Sequence, residues 1–365
     1  MTDQGILIHA ALIKNIDFDS IIIFRSIGDS THFVPMAGSS NTDTVILDAS
    51  PPSNRPLFYR ARLSSDLLTS KLTKPISRVY GKNRYLLLTT FGYSLYELSY
   101  DFLDIYKRYD VNYPYYYWAT DSTAQHVYLT SYSNNHTALL DLHSGEYKIL
   151  FDMPSPGPVA LFNDYLFVAS FQKPVSVNIR STSGDFIKNI SIDDTEPIRF
   201  IHDKAKNRLL LVSDSKITVF DESANISDSL LITAGIAEGQ LFGNSFFFIN
   251  RDLNSFKSID LETKTINTLL TGKFGTSFLV VNDTLWIEEK ILEKSVLTKL
   301  IMPSTRLFTR DEFINISNII WNQEMGTIII LEKAYGNLHL YNVQGMPLTK
   351  RSFFSDPTEI HIIND

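Results

Sequence analysis

Short apolar triplets recur along the chain at intervals of about forty residues. They are Val45-Ile46-Leu47, Leu86-Leu87-Leu88, Val127-Tyr128-Leu129, Leu166-Phe167-Val168, Leu209-Leu210-Leu211, Phe246-Phe247-Phe248, Leu285-Trp286-Ile287 and Ile328-Ile329-Ile330. Most follow a polar turn: Gly81-Lys82-Asn83, Asn163-Asp164, Lys206-Asn207, Gly243-Asn244, Asn282-Asp283 or Met325-Gly326. Asn, Asp and Gly tolerate positive φ and so suit tight connections between antiparallel strands. Before the turn lies another apolar strand, as in Pro75–Tyr80, Pro158–Phe162 and Ile316–Trp321. After the triplet the pattern alternates, as in Ala138–Leu150 and Ser258–Ile266, which predicts a half-buried hairpin.

The repeating unit therefore reads strand, turn, buried strand, loop, alternating strand, turn, outer strand. A continuous apolar run marks a strand covered on both faces, and alternation marks strands nearer the rim. One such unit cannot bury both its faces, whereas copies packed around an axis bury each other's and leave only short edges. The fold class predicted is all-β: a single closed β-propeller of four-stranded antiparallel blades. The triplets favour eight blades. Seven is the alternative, if residues 1–74 build one irregular blade plus a cap. Pro51, Pro52 and Pro56 interrupt the first phase, and the segments from Ile6 to Ala11 and from Ser20 to Phe24 precede it as strands. Thr358–Ile363 follows the last hairpin with no partner nearby in the sequence. One domain over residues 1–365 is expected, its ring closed by pairing of N- and C-terminal strands.

The chain resembles the broad β-propeller superfamily, in the manner of its quinoprotein-like and WD40-like groups. The resemblance spans essentially the whole length. It rests on the repeat and on hairpins of the kind Leu140-Asp141-Leu142-His143-Ser144-Gly145. The Gly-His and Trp-Asp pair of ordinary WD40 repeats is missing. Tyr117-Trp118-Ala119-Thr120-Asp121 is similar to the Tyr-Trp-Thr-Asp repeats of receptor propellers, but occurs once and with an inserted Ala. So general a match carries over no catalytic residue.

Charge and composition narrow the partners. A formal net charge of −7 over 365 residues argues against a nucleic-acid binder, which needs a basic stripe. Lys290, Lys294 and Lys299 are scattered. The absence of cysteine excludes disulfides, thiolate metal sites and cysteine nucleophiles. No apolar run approaches the roughly 18 residues of a membrane span. The start has no positively charged region ahead of an apolar stretch, so no secretory signal is read and a cytoplasmic location is expected.

Motifs for chemistry are few. There is no Gly-rich phosphate loop and no Gly-x-Ser-x-Gly elbow; Gly272-Lys273-Phe274-Gly275-Thr276 reads as a strand connection. The eight histidines show no ligand spacing, so neither metal nor cofactor is expected. Glu288 and Glu289 directly follow the seventh triplet, and Glu332 follows the eighth at the corresponding place. Adjacent blades would bring Glu288 and Glu332 together as an acid–base pair or a cation site; a solvated loop is the alternative. The densest unusual segment is Asn112-Tyr113-Pro114-Tyr115-Tyr116-Tyr117-Trp118. Tyr113, Tyr115 and Tyr117 share one face of an extended chain and are candidate partner-binding residues; packing between blades is the alternative.

Three functions fit. The first is a non-catalytic binding protein that presents one propeller face to a protein or peptide. The second is a hydrolase or lyase with an axial site for a small or sugar-like substrate. The third is a lectin with one aromatic pocket per blade, against which the unrepeated Tyr cluster counts. Converging charged side chains in a deep axial pocket would favour the enzyme, and an aromatic outer face the binding protein.

Overall fold

The structure is a computed structural model describing residues 6–9, 18–28, 30–40, 45–52, 55–65, 69–80, 84–89, 93–121, 123–192, 196–232, 235–281, 283–291, 294–302, 305–313, 315–332, 336–352 and 357–363. The Gly81-Lys82-Asn83 turn and Asn282 lie outside them.

Among these residues every regular element is a strand. The strands form eight four-stranded antiparallel sheets and one two-stranded sheet, and eight is the number the periodicity favours. Seven of the sheets are numbered here as blades in chain order. Blade 1 holds Arg84–Thr89, Ser94–Leu98 and Ile105–Asp110, with the C-terminal strand Pro357–Ile363 paired to the first of these, Ile360 opposite Leu87. Blades 2 to 7 take consecutive strands from residues 117–152, 156–191, 197–231, 236–271, 274–313 and 316–352. The arrangement is a β-propeller.

Seven of the triplets are the second strands of these blades, and all of their residues are buried. Their two-residue period explains how. Tyr85 and Leu87 of blade 1 pack with Ile329 and Leu331 of blade 7, while Leu86 and Leu88 point the other way and pack with Val127 and Leu129 of blade 2. Leu209 and Leu211 of blade 4 meet Phe167 of blade 3, and Leu210 and Val212 meet Phe246 and Phe248 of blade 5. Each remaining pair of neighbours shares a cluster in the same way. Each fully buried Leu, Ile or Phe contributes about 1.5–3 kcal/mol, so the shared faces dominate the stability.

The turns are built as expected. Asn163 and Asp164 both have positive φ (46° and 62°), the geometry of a two-residue hairpin turn. In the hairpins between third and fourth strands, Asp141 Oδ1 accepts the His143 and Ser144 amides at 2.8 Å, and Asp260 Oδ1 accepts those of Glu262 and Thr263 at 2.9 and 2.8 Å.

The first triplet behaves differently. Val45–Asp48 pairs with Ile6–His9 in the two-stranded sheet, and Val45 and Leu47 are both 38% exposed. Prolines at 51 and 52, just past the strand, have no amide to donate to a further ladder. The eighth four-stranded sheet is built instead on Ser20–Ile27 and Pro56–Ser64, flanked by Val34–Ser40 and Ile76–Val79. Ile21, Ile23, Leu57 and Tyr59 form its core with Ile6 and Ile46 of the two-stranded sheet. Ile76–Val79 lies in the stretch that the repeat assigns to the blade of Leu86. It is the edge of this N-terminal sheet, and the C-terminal strand occupies the innermost place in blade 1. The junction is polar and tight: Arg78 donates to Asp101 at 2.8 Å and to Asp104 at 2.6 Å, and Val79 enters the cluster between blades 1 and 7.

Leu87→Ala should cost about 2–5 kcal/mol, because it opens a cavity between two blades. Leu47→Ala should cost less than about 1 kcal/mol. Chemical denaturation of the two variants beside the parent chain checks this. Equal losses would contradict the assignment of the first triplet to a peripheral strand.

Candidate functional site

The innermost strands of all seven blades line two cavities of about 380 and 450 Å³ that meet at Arg199, Glu238 and Asn318. Arg199 donates to Glu238 Oε1 at 2.6 Å, and the same oxygen accepts the Gly239 amide at 3.0 Å. Their charges therefore offset each other on the axis. Val159, Ala160, Phe200, Ile319 and Ile360 add apolar patches to a wall that is polar for the greater part. His202 sits at the edge of this space against the Phe162 ring, and burial lowers its pKa. Sequence reasoning missed Arg199 and Glu238. They stand in the first strands of blades 4 and 5, where the repeat pattern contains no signal for which side chain faces the axis.

A larger cleft of about 690 Å³ opens on the face where innermost strands begin and second strands end, here called the upper face. Tyr116, Tyr117 and Tyr132 come from blade 2 and its approach, Phe171 and Lys173 from blade 3, and Glu196 and Asp214 from blade 4. The rings stand in pairs: Tyr116 and Tyr132 with centroids 4.9 Å apart, Tyr117 and Phe171 at 5.9 Å. Gly157 makes room for Phe171, since a Cβ there would come within 2.6 Å of its ring. Tyr132 is 46% exposed. The cleft thus offers aromatic faces with phenolic hydroxyls on blades 2 and 3, a cation from blade 3 and carboxylates from blade 4.

Of the three tyrosines singled out in the sequence, Tyr117 lines this cleft and the other two do not. Tyr115 is buried, with its hydroxyl 2.8 Å from His136 Nε2 and also bonded to the Tyr147 hydroxyl. Tyr113 is half-buried with its ring 4.7 Å from that of His136. His136 Nδ1 lies 3.2 Å from the Asn134 carbonyl, which can only accept, so Nδ1 carries the proton and Nε2 accepts from Tyr115. Burial lowers the His136 pKa and raises that of Tyr115 well above the usual phenol range. The trio is a structural network that holds the approach to the cleft. Tyr116 and Tyr132, which the alternation argument passed over, also line the cleft, Tyr116 half-buried like Tyr117 and Tyr132 exposed.

The two glutamates are both buried, each satisfied within its own blade. Glu288 Oε1 accepts from Lys290 Nζ at 2.6 Å and from Ser295 Oγ at 2.5 Å, and Oε2 from the Thr276 amide at 3.0 Å. A Cβ on Gly275 would fall 1.7 Å from Oε2, so the glycine is what admits the carboxylate. Glu332 Oε2 accepts from Asn337 Nδ2 at 2.6 Å and lies 3.2 Å from His339 Nε2. By register the partner of Glu332 in blade 6 is Glu289, since both oppose the first residue of the innermost strand across a bulge. Glu288 points the opposite way, where blades 5 and 7 carry Ile249 and Leu331. Among the described residues no group of three or more His, Asp or Glu is placed to hold a metal.

No family model and no curated protein sequence matches the chain. Solved structures do. A functionally unknown protein from Desulfotomaculum acetoxidans superposes with a TM-score of 0.60 at 16% identity, covering 77% of this chain and 99% of that one. Hydrazine synthase from Kuenenia stuttgartiensis gives 0.57 at 9% identity, over 78% and 92%. BamB from Moraxella catarrhalis gives 0.53 at 11% identity, over 73% and 85%. At such identities the likeness establishes the propeller fold alone. What the first comparison leaves uncovered is about the length of the segment before Arg84.

Two variants probe the buried groups. Lys290→Met leaves the Glu288 carboxylate without its cation and should destabilise the fold by about 2–3 kcal/mol, less than for a fully buried pair because Lys290 is 35% exposed; Glu288→Leu with Lys290→Met should recover part of this in denaturant titrations. His136 has a folded pKa below its unfolded value, so the unfolded chain takes up the proton first. Its contribution is present above about pH 6.5 and is lost as pH falls below that. His136→Asn should therefore flatten the acid side of the stability–pH curve, and an unchanged slope would remove His136 from that role.

Proposed function

We propose that the chain is a non-catalytic binding protein, which presents the upper face of its propeller to a protein or peptide partner. The observation that carries this is the aromatic cleft across blades 2 to 4. Partly exposed Tyr and Phe rings, pre-packed in pairs and rimmed by opposite charges, supply large contact area at low ordering cost. An axial enzyme is less well supported. Its Glu238 is committed to Arg199 and a backbone amide, and Glu288 and Glu332 each serve their own blade. A lectin would repeat its aromatics in phase, whereas the aromatic rings of the cleft come from blades 2 and 3.

The proposal includes the frame. Residues 84–363 would close as one ring through the C-terminal strand, with the N-terminal sheet held to blade 1 by Arg78, so that residues 1–365 act as one unit. A cytoplasmic site of action fits a cysteine-free chain. Among the described residues there is no helix long and apolar enough to cross a membrane.

Affinity capture from the native source with the immobilised chain tests the reading. A partner retained by the parent should be lost by Tyr116→Ala with Tyr132→Ala at an unchanged melting temperature, and its measured affinity should drop about tenfold or more. A partner held equally by the variant, or turnover in a substrate screen with no partner recovered, would refute it.

A further inference from the structure

The N-terminal sheet carries a cationic surface that the propeller does not use. Along Pro56–Ser64 the side chains alternate. Leu57, Tyr59, Ala61 and Leu63 pack toward the two-stranded sheet, which leaves Phe58, Arg60 and Arg62 on the opposite face. Arg60 lies over the Phe33 ring at 4.6 Å, and Arg62 over Phe24 at 5.1 Å. Phe24 is 8% exposed although it stands on the face away from the sheet's core cluster, so its cover includes the arginine. The Nε atoms of both arginines are buried and have no hydrogen-bond partner.

Neither guanidinium meets a carboxylate among the described residues. The contrast lies within the same sheet, where Arg25 pairs with Asp48 at 2.8 Å and Arg78 with Asp101 at 2.8 Å. The segment Ser70–Thr73 runs beside the same strand, with Ser70 and Thr73 side chains accepting the Leu63 and Ala61 amides at 2.9 and 3.0 Å. It brings Lys71 and Lys74 alongside, and Arg55 precedes the strand. From residue 18 to residue 80 the sequence carries seven Lys and Arg against five Asp and no Glu. Among the described residues the charges on this face, Arg60 and Arg62 with Lys71 and Lys74 beside them, are therefore positive on a chain whose net charge is −7.

We propose that this face docks an acidic segment of a partner protein in extended conformation. Contact with the Phe33 and Phe24 rings holds each guanidinium in place in advance, so less side-chain entropy is lost when its fork receives a carboxylate. Arg60 and Arg62 are two residues apart on a strand, about 6.6–7 Å, and that is also the spacing of alternate side chains on an extended peptide. Carboxylates at every second position of such a peptide match the two forks one to one, each in bidentate geometry. The site is independent of the upper-face cleft. Arg78 anchors the sheet to the turn between the third and fourth strands of blade 1, at the opposite end of the propeller.

The test is fluorescence anisotropy with the full chain and a labelled peptide of alternating glutamate and threonine. Binding that weakens with added salt is expected. Arg60→Gln with Arg62→Gln should lower affinity about tenfold or more, and Arg60→Lys with Arg62→Lys should fall between, since charge is kept and the fork is lost. Tyr116→Ala with Tyr132→Ala should leave this binding unchanged, so failure here is separable from failure of the cleft reading. Thermal melting confirms that each variant is folded. Equal affinity in the glutamine variant would overturn the proposal, as would full affinity in the lysine variant. So would binding only to phosphatidylglycerol vesicles, or a dimer that the glutamine variant dissociates while the peptide does not bind.

Discussion

A sheet with two apolar faces and nothing of its own to cover them is the constraint on which this molecule depends. Each second strand is apolar at successive positions, and successive positions point to opposite sides. Leu86 and Leu87 are adjacent in sequence yet belong to clusters shared with different blades. Stability is therefore held between blades more than within them. It also follows that blade 1 cannot do without its innermost strand, which comes from the far end of the chain. Pro357–Ile363 pairs along Arg84–Thr89 and places Ile360 in the cluster with Ile329 and Leu338 of blade 7. Long-range pairing of this kind carries the loop-closure cost of nearly the whole propeller.

The N-terminal sheet shows the same constraint met locally. Its one strongly apolar face is covered by the two-stranded sheet, not by a neighbouring blade, and the contact with blade 1 joins the Arg78 ion pairs to the buried Val79. Asp101 is fully buried and accepts from Arg78, from Ser99 Oγ at 2.7 Å and from the Leu103 amide at 3.1 Å. Its charge is thus compensated by Arg78, by the nearby Arg351, by the Val79 amide and by groups of its own turn. Breaking the Arg78 side would strand a buried charge, whereas an exposed ion pair contributes little.

Periodicity made the blades legible because burial on both faces demands an unbroken apolar run. Seven of the triplets are second strands for that reason. Val45-Ile46-Leu47 carries the same letters but lies in a two-stranded sheet with one face to solvent, and three apolar residues alone do not distinguish the two cases. The prolines that follow were the local sign of it. The cleft was half legible. A run of Tyr and Trp drew attention to the right segment, but a simple alternation assigned Tyr113, Tyr115 and Tyr117 to one surface. The chain between Val111 and Tyr116 is an irregular loop with Asn112 at positive φ, so the period of two does not apply there. Tyr115 turns inward to His136, and Tyr116, half-buried, lines the cleft against the exposed Tyr132.

Departures from the repeat fall into two kinds, and they bear differently on function. Glu288 departs at a buried position, and everything around it is arranged to satisfy it: Gly275 yields space, Thr276 gives an amide, Lys290 and Ser295 give donors. Such a residue is consumed by its own blade and has no capacity left for a ligand. Tyr116, Tyr132, Arg60 and Arg62 depart at positions that face outward. Their rings and guanidinium planes are held by packing while part of each stays accessible. A side chain that is oriented but not used up is what recognition needs, because its ordering cost is met before the partner arrives. The chemistry of this protein is therefore sought where order is imposed on exposed groups, at the two ends of the propeller, and not where polar groups are most deeply buried.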